Sequence, residues 1–171
     1  MHHYFEAQNY EAVQRLIEKY GEDYMTTDKF ELVKHYVKTL PEMVNNNSPI
    51  LLRLRGTISF WDFDWDCAKT YYAKAKQIAR RQKNYLEVFR TIFTQLSMKI
   101  NMGEHKGVAQ QIKNVLRSKK LKDQRLKARF LNSLGIALSF ERKLKPATTA
   151  FMSSLKISKK IRFDHQIDMT M

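Results

Sequence analysis

Three carboxylates stand at alternate positions in the segment 62–66 (DFDWD), a spacing that could serve a calcium loop. An EF-hand loop starting at Asp62 would need glycine at its sixth position and glutamate at its twelfth. The chain has Cys67 and Ala73 at those positions. We therefore expect a turn between two helices, in which Asp62 or Asp64 caps the second helix, and we expect no metal site.

No grouping of side chains along the sequence suits catalysis. The five histidines are scattered, and none has a partner at the i, i+4 spacing of a helical metal-ligand pair. His105 is expected to serve packing, and Cys67, the only cysteine, has no evident His or Asp partner for nucleophilic chemistry. We expect a protein that is not an enzyme and holds no cofactor of its own. A single cysteine also excludes an internal disulfide and favours a cytoplasmic location.

The sequence gives better support for ligand binding. The candidate residues recur in three parts of the chain, each time in the first helix of a predicted helix pair. There, aromatic rings stand beside Arg, Asn and Ser, which could stack on and hydrogen-bond a sugar, or hold a peptide carboxylate. The alternative is that the aromatic residues pack between helices and the polar ones are solvated. The candidate ligand-binding residues of this concave groove are Arg53, Thr57 and Trp61, then Arg90, Phe93, Ser97 and Asn101, then Arg129 and Asn132.

These positions follow from a sequence repeat of about forty residues. Its two clear copies share the same offsets, and they are Gly56, Ala68 and Tyr72, and Gly135, Ala147 and Phe151. A degenerate copy lies around Leu96. Small residues let paired helices approach closely, and the aromatic residue, one turn beyond the alanine on the same face, is expected to fill the space between hairpins. A fixed period of this size is typical of stacked helical hairpins, and the set resembles the tetratricopeptide repeat signature.

The fold predicted from this pattern is all-α, a superhelical stack of antiparallel helix hairpins. Residues 1–47 form leading helices, at about 2–8, from Tyr10 to a terminating Gly21, and at 29–39 after an N-cap at Thr27-Asp28. The loop 45–49 contains Ser48 as the next N-cap, and Pro49 stands in the first turn of the helix that follows. The repeats then occupy 48–171, with helix pairs at about 49–80, 84–117 and 123–158 and the start of a further helix at 162–171.

Composition and charge narrow the function classes. The 171 residues are 43% apolar and 12% aromatic, which excludes disorder. No apolar run approaches the eighteen residues of a membrane span, and the residues from Met1 to Glu6 lack the apolar core expected of a signal peptide. The net charge of +14 is uneven, with −3 over residues 1–50 and +17 over 51–171. Such a basic part could meet nucleic acid, an anionic ligand or an acidic partner, or be a solvated surface. Without a nucleic-acid-binding motif, we do not expect direct binding of nucleic acid.

A further resemblance concerns the order of the leading helices. The chain has YEAVQRLIE at 10–18, a helix ending in Leu40-Pro41-Glu42, and SPILLRLRG at 48–56. This order resembles the helical-repeat region of MalT-like ATP-dependent transcriptional regulators of the LuxR family. The resemblance covers about residues 4–160. It implies a sensor region that binds a small-molecule inducer or a protein partner and acts on neighbouring domains of the same polypeptide.

The departures from that family matter as much as the resemblance. The family joins a P-loop ATPase, the repeat region and a LuxR-type DNA-binding domain, and inducer binding promotes ATP-dependent oligomerisation. This chain has no Gly-x-x-x-x-Gly-Lys-Ser/Thr motif and no DNA-binding domain. The resemblance therefore implies a sensor segment, with ATP expected only in a neighbouring domain and self-association open. The alternative is a stand-alone tetratricopeptide-type adaptor for protein–protein interaction.

Overall fold

The regular structure of this chain is helical throughout the part that its computed structural model describes. That part is residues 1–25, 28–41 and 47–168, with side chains described as far as Arg162 in the last helix. The all-α prediction is therefore confirmed for these residues, among which no strand occurs. The helices are α1 (His2–Glu6), α2 (Tyr10–Tyr24), α3 (Phe30–Thr39), α4 (Pro49–Trp61), α5 (Trp65–Arg81), α6 (Tyr85–Asn101), α7 (Val108–Leu116), α8 (Gln124–Phe140) and α9 (Leu144–Asp168).

The chain divides into two compact units, Met1–Thr91 and Ile92–Met171. In unit 1, α2, α3 and α4 pack against one another, and α4 pairs with α5. In unit 2, α8 packs against both α7 and α9. The boundary between the two units falls inside α6 and reflects contacts between residues. The boundary predicted at residue 47 is of another kind, because it marks where the sequence repeats begin.

Side-chain caps fix where several helices begin. Asn9 accepts a hydrogen bond from the backbone N–H of Ala12 at 3.1 Å, and Ser48 accepts one from Leu51 at 3.2 Å. Asp64 caps α5 in the same way at 3.1 Å. Each cap satisfies a backbone donor that the first helical turn leaves unpaired. The predicted capping roles of Ser48 and Asp64 are confirmed.

The prediction that α2 ends at Gly21 is wrong. The helix continues to Tyr24, and Gly21 is buried within it. A Cβ there would lie 3.0 Å from the side chain of Leu54 on α4 and 3.1 Å from that of Ile17. The glycine is therefore explained by the close approach of α4 and not by a left-handed cap. Thr27 lies outside the described residues.

The predicted break between residues 158 and 162 is absent. Helix α9 runs without interruption through this stretch. The physical reason is that Ser158-Lys159-Lys160-Ile161 contains neither glycine nor proline, so no residue there stops a helix once it has formed. One long helix therefore stands where the sequence suggested two. Of the predicted loop 45–49, Asn45 and Asn46 lie outside the described residues.

Unit 1 has a core built from α2, α3 and α4. Each of these helices presents apolar residues three and four apart, the spacing of one buried helical face. The buried members of the cluster are Val13, Ile17, Val33, Tyr36, Val37, Leu40, Leu51, Leu54 and Ile58. This core holds α4 in place, and α4 carries three of the predicted groove residues.

An aromatic ring lies directly on a glycine in two helix pairs. The ring of Tyr72 on α5 fills the position of a side chain at Gly56, where a Cβ would come within 2.7 Å of it. The ring of Phe151 on α9 does the same at Gly135 on α8, within 2.5 Å. The sequence predicted the close approach, but it placed the ring between hairpins rather than within one.

The turns of three predicted repeats share one backbone geometry that the sequence did not reveal. Phe63, Gly103 and Arg142 all have a positive φ, near +63°, +79° and +58°. In each turn the next residue donates its N–H to a carbonyl five residues back, at 2.8–2.9 Å. This is the 6→1 bond of a Schellman motif. The three positions lie seven residues after Gly56, Leu96 and Gly135. The same geometry also ends helices outside this register, at Gln8 and Lys83.

We predict that Gly135→Ala lowers the free energy of unfolding by about 1–3 kcal/mol, the usual cost of overpacking. The cause is the ring of Phe151, because alanine alone would favour a helix by roughly 1 kcal/mol. Chemical denaturation followed by circular dichroism measures the change. In a Phe151→Leu background the same substitution should cost clearly less. An equal loss in both backgrounds would show that the ring is not responsible.

Candidate functional site

The nine predicted groove residues divide between the two units. Unit 1 contains Arg53, Thr57 and Trp61 on α4 and Arg90 on α6. Unit 2 contains the remaining five, on α6 and α8. Their burial and partners differ so much that one common role does not describe them.

Arg53 lies inside unit 1, with only 3% of its surface exposed. Its Nε donates to Glu87 Oε1 at 2.5 Å, and its Nη2 lies 3.2 Å from Glu22 Oε2. Glu87 is itself 1% exposed. The same oxygen of Glu22 lies 3.6 Å from Nη1 of Arg90. Arg53 therefore links α2, α4 and α6 within unit 1, and its guanidinium is already held by two carboxylates.

Burial and ion pairing shift the pKa values of Arg53 and Glu87 in opposite directions. Loss of water raises the pKa of Glu87, and the neighbouring Arg53 charge offsets part of that rise. Desolvation also disfavours the charge of Arg53, but Glu87 and Glu22 outweigh it, so the pKa of Arg53 is raised. The guanidinium stays charged and needs its carboxylates.

Thr57 and Trp61 have different surroundings again. Thr57 donates its hydroxyl to the backbone oxygen of Arg53 at 3.1 Å and accepts from the hydroxyl of Tyr72 at 3.3 Å. Trp61 is 58% exposed and meets the ring of Phe60 edge-on, with centroids 5.4 Å apart. Of these four unit 1 residues, Trp61 presents the most open surface for stacking.

Unit 2 brings three of its predicted residues to one cavity. Phe93, Arg129 and Asn132 line an open space of about 770 Å³, which is within the usual size of small-molecule sites. The guanidinium carbon of Arg129 lies 4.2 Å from the centroid of the Phe93 ring. Phe93 also meets the buried ring of Phe130 edge-on at 5.4 Å. The aromatic pair thus supports the flat face of Arg129.

Sequence analysis missed several residues of this cavity. The lining also includes Arg125, Ala128, Ser133, Ser154, Ser158, Ile161 and Arg162. A signal existed, because Ser154, Ser158 and Arg162 follow one another at intervals of four and so share a face of α9. The predicted residues Ser97 and Asn101 are not among those that line the cavity in the described part of the chain.

Each of the three carboxylates of segment 62–66 accepts hydrogen bonds from different groups of the protein. Asp62 accepts hydrogen bonds from Lys34 at 2.5 Å and Lys38 at 2.6 Å, both on α3. These two bonds hold the pKa of Asp62 below its ordinary value of 3.8. Asp64 caps α5, and Asp66 points to Lys69 at 3.3 Å. Among the described residues, no group of three His, Cys, Asp or Glu side chains could hold a metal ion.

His105 packs in unit 2 as expected. Its ring stacks on Phe140 with centroids 3.6 Å apart and planes 11° from parallel. Its Nδ1 is buried and has no hydrogen-bond partner. Cys67 is exposed in the first turn of α5, and the carboxylate of Asp64 raises its pKa, which disfavours the reactive thiolate.

Comparison with protein-family models, with curated proteins and with solved structures finds no match to this chain. Within the described residues, no helix has both the length and the apolar character needed to cross a membrane.

We predict that Arg53→Met destabilises the protein by about 3–5 kcal/mol, because Glu87 would remain buried without its partner. Denaturant unfolding measures the loss. Arg80→Met, at an exposed position on α5, is the matched control and should change little. The double variant Arg53→Met, Glu87→Leu should regain most of the stability. If the double variant is as unstable as the single one, the unpaired carboxylate is not the cause.

Asp62 should make stability depend on pH with a defined sign. Its folded-state pKa is lowered, so its contribution is present above about 3.8 and is lost as the pH falls through the folded value. The Tm difference between the parent and Asp62→Asn should therefore be largest near neutral pH and shrink as the pH falls below about 3.8. Asp66→Asn, whose ion pair with Lys69 is exposed to solvent, is the control and should change the Tm less than Asp62→Asn near neutral pH. A constant difference for Asp62→Asn would refute this role.

Proposed function

We propose that this chain is a stack of tetratricopeptide-like hairpins. The support comes from two local geometries that recur at the repeat spacing. One is the aromatic ring seated on a glycine at Gly56 and at Gly135. The other is the left-handed turn residue at Phe63, Gly103 and Arg142, a turn that also ends helices at Gln8 and Lys83. A shared turn and a shared helix contact are what a structural repeat predicts.

For the function, we favour a ligand- or partner-sensing segment of a cytoplasmic transcriptional regulator of the MalT-like type. The observation that carries this proposal is the cavity of unit 2. Phe93, Arg129 and Asn132 were selected from repeat position alone, and all three line it. An aromatic ring, a guanidinium and an amide around one open space are suited to a polar ligand.

Sensing would operate through the helices that line the cavity. Arg129 and Asn132 belong to α8, and Ser154 and Ser158 belong to α9. A ligand that contacts both helices favours the arrangement in which both contacts are made. Such a bias can be transmitted to neighbouring domains of the same polypeptide, where ATP and DNA would be bound.

A protein-binding adaptor is the second candidate, favoured by another face of α9. Met152 is 61% exposed and Leu155 46% exposed. Lys145, Thr148 and Lys156 lie with Met152 around a second, shallower cavity of about 610 Å³. An apolar centre flanked by lysines would suit an amphipathic helix with acidic flanks.

Sequencing the native reading frame on both sides of this segment separates the two candidates. For the regulator we expect an upstream Gly-x-x-x-x-Gly-Lys-Ser/Thr motif and a downstream helix-turn-helix. In-frame flanking sequence that encodes neither motif would overturn the regulator proposal. The adaptor would then be tested by capture of acidic protein partners at low salt, with Met152→Ser and Leu155→Ser expected to abolish capture.

A further inference from the structure

The turn that joins α4 to α5 carries three exposed aromatic rings, and we call it the aromatic turn (Trp61, Phe63 and Trp65). Phe63 is 81% exposed, the largest fraction for any large apolar side chain in the described part of the chain. Trp61 is 58% exposed and Trp65 is 43% exposed. The turn is tight, because Asp64 donates its backbone N–H to the carbonyl oxygen of Ser59 at 2.9 Å. The three rings therefore lie close together, at one end of the α4–α5 pair.

The backbone of Phe63 is also unfavourable for a residue of this type. Its φ is near +63°, in the left-handed region that disfavours a bulky side chain. The other non-glycine residues with positive φ in the described part are Gln8, Lys83 and Arg142, and all three are polar. At the same repeat position, Gly103 forms an equivalent turn without this cost. Neither turn geometry nor solvation therefore favours phenylalanine here, and unfavourable backbone of this kind is common at recognition sites.

The charges of the aromatic turn are balanced. Asp62 accepts hydrogen bonds from two lysines of α3, and Asp66 accepts one from a lysine of α5. These lysines are Lys34, Lys38 and Lys69. With the carboxylate of Asp64, the turn and its contacts hold three acidic and three basic groups, a formal charge of zero. A neutral aromatic surface of this kind can meet an identical surface without net repulsion.

Other exposed apolar side chains lie in a strongly basic environment. Leu144 is 69% exposed and Met152 is 61% exposed, and both belong to unit 2. Unit 2 has seventeen Lys and Arg residues but only five Asp and Glu, a net charge of +12. Charge of one sign opposes the approach of a second copy of the same surface. Two copies of this chain should therefore meet through the aromatic turn and not through these surfaces of unit 2.

The exposed ring area is enough for a weak interface. Because Trp and Phe side chains each bury about 150–250 Å² when they are covered, the exposed fractions here amount to roughly 400 Å² per copy. Exposed apolar patches of a few hundred Å² often mark protein interaction sites. Two such patches and the atoms around them approach the roughly 1,200 Å² at which stable interfaces begin.

We propose that the aromatic turn joins two copies of this chain in a two-fold symmetric dimer. Both copies use the same surface in such a dimer, so that surface must be complementary to itself. The aromatic turn meets this requirement, because its rings provide apolar contact and its charges sum to zero. Tryptophan is also among the residues that contribute most to protein–protein binding energy. The dimer requires neither the ligand nor the neighbouring domains of the proposed function.

Sedimentation equilibrium of the whole chain at increasing concentration tests the proposal. We expect a monomer–dimer equilibrium with a dissociation constant on the order of 10 μM, in keeping with the small area. Trp61 and Trp65 are the only tryptophans of the chain, so their fluorescence reports on this turn alone. Their emission should shift to shorter wavelength as the dimer forms, because the rings leave water. A chain that stays monomeric at about ten times that dissociation constant, or a dimer without the shift, overturns the proposal.

Phe63→Gly separates loss of the interface from loss of the fold. Glycine suits the left-handed backbone, so the monomer should resist denaturant at least as well as the parent. The dimer should nevertheless be weakened by about tenfold or more, since one ring is lost from each copy. Trp61→Gln should also weaken the dimer, and circular dichroism establishes that both variants are folded.

Leu144→Ser is the matched control, because it removes an exposed apolar side chain at the start of α9 in unit 2. It should leave the dissociation constant unchanged. An equal loss in this control, or undiminished dimerisation of Phe63→Gly, would rule out the aromatic turn as the interface. Added salt should strengthen the dimer slightly, since it screens the repulsion between two chains of charge +14. Steep weakening by salt would show that ion pairs and not the rings hold the copies together.

Discussion

The seating of an aromatic ring on a glycine is the contact on which both of the clear helix pairs depend. The distance between two packed helices is set by the side chains at their contact. At Gly56 and Gly135 the missing side chain is replaced by the ring of Tyr72 or Phe151. The glycine costs each helix about 1 kcal/mol relative to alanine. That cost is offset by a contact that no other residue permits without moving the ring.

In unit 2 this contact also determines where the basic cavity forms. Phe151 fixes α9 against α8 at Gly135, and Ser154 makes the next contact one turn later, at Ala128. Ser158 and Arg162 must then follow along the same stripe, because the helix continues without interruption. The position of the cavity is thus a consequence of helix register, set by a glycine that does not line it.

Much of the helical framework could be predicted because its signals are local. Asn9, Ser48 and Asp64 cap helices through bonds to residues three positions away, so the sequence contains both partners. The surroundings of Arg53 could not be predicted in this way. Its carboxylate partners stand 31 and 34 residues away in the chain, and repeat position alone placed it in a groove. Arg53 is buried because carboxylates that are distant in the sequence pair with it. The repeat period of the sequence contains no information about such pairing.

Arginine therefore occurs in two different surroundings in this protein. In unit 1, the charge of Arg53 is removed from water and balanced by Glu87 and Glu22, which joins three helices but leaves it no capacity for a ligand. Unit 1 as a whole is nearly balanced, with fourteen basic and twelve acidic residues. In unit 2, acidic residues are few, and arginines gather around an open cavity. A charge that is paired inside the fold stabilises one structure, whereas charges beside solvent contribute to the positive field of unit 2. The residue type alone does not distinguish these surroundings; burial does.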